Sequence, residues 1–174
     1  MSSLSSKRTS LCLRLFALVL VIITMALILA APGYNLCSSV SVGSAKGSGC
    51  SSVKFKIDVS QWDKVFPKKV WGQIALFGLP LIFSIGSLLA LTGRMSRNAE
   101  VVLVVLASLI SFACGATEIW YATGFGTVGG SQSAASITIK VYVYIAGWCA
   151  AAAFLLLNGI VYAIDAWAVH RRCC

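Results

Sequence analysis

Acidic residues are scarce in this chain: five Asp and Glu among 174 residues, with a single histidine, His170. One histidine excludes the multi-histidine zinc sites, and no His-Glu-x-x-His helix motif occurs. The seven cysteines include no Cys-x-x-Cys pair. The glycine-rich stretch from Gly124 to Gly130 lacks a following lysine and opens no nucleotide-binding unit. Serines and cysteines are common, yet no His or Asp stands near them in a nucleophile–base arrangement. No Asn-x-Ser/Thr acceptor exists, so no N-glycan is expected. Together these absences lead us to expect a protein that is not an enzyme and has no catalytic, metal or cofactor residues. Charge itself is sparse, 11% of residues, where a soluble domain carries about 25%. With 59% hydrophobic residues and a mean hydropathy of +0.90, the chain reads as an integral membrane protein.

Four apolar runs are long enough to cross a bilayer, which takes about 20 residues per helix. The expected fold is an all-α, four-helix transmembrane bundle forming one domain over residues 1–174. Its helices should cover about 11–31, 70–92, 101–122 and 140–168. The first run follows a short basic tail and could be a signal peptide, but its length favours a retained helix. Pro80 in the second run removes a backbone donor and should kink that helix. In the third run Ala107, Ser111 and Gly115 recur every four residues, a small-residue face that lets helix backbones approach closely. The longest polar segment, Pro32 to Lys69, predicts a small β-hairpin. One strand would lie near Leu36–Val42 and the other on the alternating Val53, Phe55, Ile57 and Val59.

Charge sets the expected orientation. The net charge is +9, and the basic residues sit in loops and tails. That placement suits topology and anionic lipid rather than nucleic acid. A plain count divides Lys and Arg equally between the two sides. The helix flanks are more informative. Lys7, Arg8 and Arg14 introduce the first helix, Arg94 and Arg97 the third, and Arg171–Arg172 follow the fourth. Only Lys68–Lys69, before the second, dissent. Both termini are therefore expected in the cytosol. Trp71, Trp120, Tyr121 and Tyr142 fall at the outer boundary and Trp167 at the inner one. This topology sorts the cysteines. Cys37 and Cys50 would face the outside or a lumen, where a disulfide between them would pin the hairpin. Cys12, Cys173 and Cys174 would lie at the cytosolic face, beside basic residues, as palmitoylation candidates. Cys114 and Cys149 fall within helices as packing residues.

Two carboxylates lie at membrane depth, Glu118 and Asp165, and such residues are usually paired or face the bundle interior. Depth alone suggests two interhelical ion pairs, Arg14–Asp165 on the inner side and Glu118–Lys140 on the outer. The rival reading, an ion or proton path, finds only Asn158 at the midplane.

Arg14-Leu15-Phe16-Ala17-Leu18-Val19-Leu20 opens the first helix, and Tyr162-Ala163-Ile164-Asp165-Ala166 followed by His170-Arg171-Arg172 closes the last. In these two ends and in its four-span topology the chain resembles the MARVEL-domain group, the plasmolipin, MAL and chemokine-like-factor relatives. It lacks the Cys-Cys-Gly of tetraspanins and the Gly-Leu-Trp of claudins. The resemblance implies a membrane-organising protein: sorting of cholesterol-rich membrane, vesicle trafficking or membrane apposition. Its expected partners are membrane lipids, other membrane proteins and further copies in a homo- or hetero-oligomer. Its expected location is the plasma membrane or a vesicle membrane. The alternatives are a claudin-like junction or adhesion protein, and a small channel or transporter subunit using Glu118, Asn158 and Asp165.

Overall fold

The computed structural model describes residues 2–30, 34–42, 45–53, 72–92, 95–123, 132–134 and 137–171; at 2–6, 34–42, 45–46, 50–53, 132–134 and 137–144 the description is of the backbone. Its order is α1 (Ser2–Ala30), β1 (Tyr34–Val42), β2 (Ala45–Val53), α2 (Gly72–Ala90), α3 (Arg97–Ala122), β3 (Gln132–Ala134), β4 (Ile137–Ile145) and α4 (Ala146–Arg171). Each helix is long and apolar enough to cross a membrane. The chain is thus a mostly helical, multi-pass membrane protein. Many large hydrophobic residues stay exposed on the bundle, most of them aliphatic, such as Ile82, Leu89, Leu109 and Val102. That is the surface a lipid solvent calls for, because helices there must satisfy their own backbone groups and need no polar exterior.

The third helix has the clearest start signal. Ser96 caps it, its side chain accepting from the Ala99 N–H at 3.4 Å, and Glu100 adds a favourable charge to the first turn. At the far end the Thr123 N–H and hydroxyl both donate to the Ile119 carbonyl. The second helix continues through Pro80, which is buried.

Between the helix ends lies a four-stranded antiparallel sheet in the order β2-β1-β4-β3. This corrects the expected fourth helix. Residues 137–145 form β4, and α4 begins only at Ala146. The run Ile137-Thr138-Ile139-Lys140-Val141-Tyr142-Val143-Tyr144-Ile145 alternates β-branched and aromatic residues, which favour a pleated strand. Its lack of acids had made it look continuous with the span. The remaining 26 residues of α4 still rise about 39 Å, enough to cross. The hairpin differs too. β1 pairs with β2 over Ala45–Val53. Phe55, Ile57 and Val59, of the expected second strand, lie outside the described residues.

The sheet end of the bundle has its own core of Ile28, Leu76, Tyr121, Ile145, Trp148 and Leu155. Trp148 is fully buried and donates its indole N–H to the Ile28 carbonyl at 3.2 Å, joining α4 to α1. A second core near the termini packs Ala17, Leu20, Val104, Ala107, Val161 and Tyr162. The small-residue face joins the two. Ala107, Ser111 and Gly115 are all buried. A Cβ on Gly115 would come within 2.9 Å of Leu156 Cδ2, and one on Gly159 within 3.0 Å of the Phe112 ring. α3 and α4 meet at these two glycines because nothing larger fits.

Candidate functional site

Arg14 is fully buried in the half of the bundle that carries the termini. Its guanidinium meets all three other helices. Nε donates to Asp165 Oδ2 of α4 at 2.6 Å. Nη2 donates to Glu100 Oε1 of α3 at 2.6 Å. Nη1 donates to the Ser87 carbonyl of α2 at 2.5 Å. Ser10, one turn earlier on α1, donates to the other oxygen of Asp165 at 2.5 Å. A planar guanidinium presents five donors in a rigid fork, so one side chain can serve three directions at once. The sequence suggests Arg14–Asp165 from depth, and the structure brings them together. Glu100 and the Ser87 carbonyl were not foreseen. Glu100 reads as an ordinary helix-start acid, and a backbone carbonyl carries no sequence signal.

A second polar layer sits beside the first. Tyr162 Oη donates to Ser84 Oγ at 3.0 Å and lies 3.2 Å from Ser87 Oγ. Ser87 Oγ in turn donates to the Ser84 carbonyl at 2.8 Å. Deeper still, Ser108 Oγ donates to the Gly159 carbonyl at 2.9 Å. The Asn158 amide donates to Ser111 Oγ at 2.9 Å. Serine and asparagine at such interfaces fasten helices where the surrounding lipid offers no partner.

Of the other expected ion pair, Glu118–Lys140, the structure describes one side chain. Glu118 is fully buried on α3, and neither carboxylate oxygen has a hydrogen-bond partner. Lys140 is in β4, opposite Ser39 of β1. Its side chain, and with it the expected pairing, lies outside the description. That expectation reads residues 140–145 as helix, whereas they belong to β4.

Comparison of the chain with protein-family models, curated proteins and solved structures finds no match. The site is therefore read from its own geometry. Cys37 and Cys50 stand opposite each other in the β1–β2 register; their side chains lie outside the description. Cys12 is an exposed thiol on α1, and Cys114 and Cys149 lie within the bundle; none of the three is in a disulfide. Cys173 and Cys174 lie outside the described residues. Among the described residues no group of three or more His, Cys, Asp or Glu is placed to hold a metal ion.

Proposed function

We propose that this protein is a non-catalytic scaffold that organises the membrane around it and presents a small β-platform beyond one face. The observation that carries this reading is the Arg14 junction. One buried cation, bonded to three helices and balanced by two carboxylates, holds a bundle in a fixed arrangement. A route for ions would need such groups hydrated and free to exchange partners.

Lipid contact is supported by the outer surface. A groove of about 370 Å³ runs between α3 and α4, lined by Phe112, Ile160, Ala163, Ile164 and Trp167. Arg171 stacks on Trp167 with its guanidinium carbon 3.9 Å from the ring centroid. An apolar groove ending in a cation suits an acyl chain and its anionic headgroup. With the termini in the cytosol, as the basic flanks favour, this is an inner-leaflet feature. The exposed Cys12, with Cys173 and Cys174, would add acyl anchors there and favour ordered membrane. The MARVEL-like ends of the chain point the same way, toward sorting or trafficking of cholesterol-rich membrane at the plasma membrane or in vesicles, in company with other membrane proteins.

A second reading, adhesion, is favoured by one observation: both long loops contribute strands to a single sheet on the side away from the termini. Strands supplied by separate loops make a folded surface rather than loose connections. A Cys37–Cys50 disulfide would fasten its β1–β2 hairpin. Opposed residues of an antiparallel pair have Cα atoms about 4.5–5.5 Å apart, within the usual disulfide range.

Reconstitution into giant vesicles with coexisting ordered and disordered lipid phases tests the scaffold reading. The palmitoylated protein should enrich in the ordered phase and cluster there. A uniform distribution with measurable ion flux would overturn it. For adhesion, the readout is aggregation of cells expressing the chain. Cys37→Ser should abolish aggregation while leaving the protein at the same membrane.

A further inference from the structure

The polar groups inside this bundle are nearly all satisfied, with one concentrated exception. Among the described residues, five buried side-chain N or O atoms have no hydrogen-bond partner, and four of them belong to Gln73 and Glu118. Both residues are fully buried. They lie on neighbouring helices, Gln73 in the first turn of α2 and Glu118 near the end of α3. The Gln73 amide approaches the Glu118 carboxylate closely enough to interact with it, but no hydrogen bond of acceptable geometry joins them. Tyr121, three residues beyond Glu118 on the same buried face, completes the group. Its hydroxyl is at the start of α2, in the space that a Cβ on Gly72 would need. Gly72 therefore leaves the space in which the phenol reaches the residue beside Gln73.

We propose that Gln73, Glu118 and Tyr121 form a binding site for a monovalent metal cation of the sodium class, in the sheet half of the bundle. The donor set is oxygen: a carboxylate, an amide carbonyl and a phenol. Oxygen ligands select hard cations, and the one thiol nearby, Cys114, is a soft ligand that does not compete for them. Charge decides the valence. One carboxylate balances one positive charge, whereas a divalent ion would leave an excess charge in a low-dielectric interior. No protein cation does this duty among the described residues. Arg14 is in the opposite half, engaged by Asp165 and Glu100, and Lys140 is out in the sheet. A buried carboxylate with no partner is costly, and a bound cation removes that cost.

This proposal does not rest on the scaffold reading, and its failure would leave lipid partitioning untouched. The experiment is thermal unfolding of the full chain in lipid nanodiscs at pH 8 and fixed ionic strength. The salts are sodium, potassium and N-methylglucamine chloride. Sodium should raise the melting temperature saturably, by about 5–11 °C, as expected for a ligand near a hundred times its dissociation constant. Glu118→Gln keeps the shape and removes the charge, and should abolish the response. Gln73→Leu should weaken it. Equal melting in all three salts, with a dependence on pH alone, would show that a proton satisfies Glu118 and would overturn the proposal. So would a sodium response that survives Glu118→Gln. Should that variant fail to fold, Glu118→Asp serves instead. The shorter carboxylate should bind sodium more weakly, and an unchanged affinity would count against the site.

Discussion

The two halves of the bundle treat a buried carboxylate in opposite ways. Near the termini, Asp165 receives a guanidinium on one oxygen and a hydroxyl on the other. Near the sheet, Glu118 receives no hydrogen bond on either oxygen. Burial is complete in both cases, so burial alone does not explain the difference. What differs is the supply of a cation. α1 carries Arg14 into the core beside Asp165, while among the described residues no cation reaches Glu118. The terminal half is consequently held together by charge and hydrogen bonds. The sheet half relies mainly on packing, Gly115 against Leu156 and the core around Trp148, whose indole adds one hydrogen bond to α1.

Substitution at Arg14 should have the largest effect. Arg14→Ala leaves Asp165 and Glu100 without their cation, and breaking a buried pair in this way costs about 3–5 kcal/mol. Chemical denaturation in mixed micelles measures it. A loss below about 1 kcal/mol would erase the contrast between the halves. Charge exchange sharpens the same point. Arg14→Asp should cripple folding, and adding Asp165→Arg should restore part of the loss, with Glu100 remaining near the relocated cation.

Removing the other carboxylate should do the reverse. Glu118→Leu, measured without sodium, should leave stability unchanged or raise it by about 1–3 kcal/mol, because an unpartnered buried group is removed. Asp165→Leu should destabilise under the same conditions. If both variants lose stability equally, the two carboxylates are equivalent and the comparison fails.

Shape in the sheet half is tested by Gly115→Val. Overpacking at such a contact costs about 1–3 kcal/mol, and Leu156 can yield only partly because its backbone N is 3.3 Å from the added Cβ. The smallest effect is expected for Tyr162→Phe. Its hydroxyl bridges Ser84 and Ser87, and interhelical hydrogen bonds in membranes average about 0.6 kcal/mol.

Much of this fold was legible in the residues. Hydrophobic length identified four spans, and the small residues Ala107, Ser111 and Gly115 marked the α3 face that packs on α4. Depth arguments suggested Arg14 with Asp165, because a helix rises by a fixed amount per residue and both ends were well placed. The same reasoning went astray over residues 140–145. It assumed helical rise through residues that form a strand, and a strand climbs more than twice as far per residue. The partner of β1 was also hidden. β4 lies about a hundred residues away in the chain, and nothing local announces such a pairing.

By itself, then, the sequence determined the solvent. Too little charge and four long apolar runs require a bilayer, since no water-soluble core could bury so much apolar surface. It also determined which side chains had to find partners, because charges are too costly in lipid to be left alone. Only the tertiary structure decided which partners they found. A guanidinium bonds to whatever acceptors the packing brings within about 3 Å, and that distance is set by four helices meeting around Arg14.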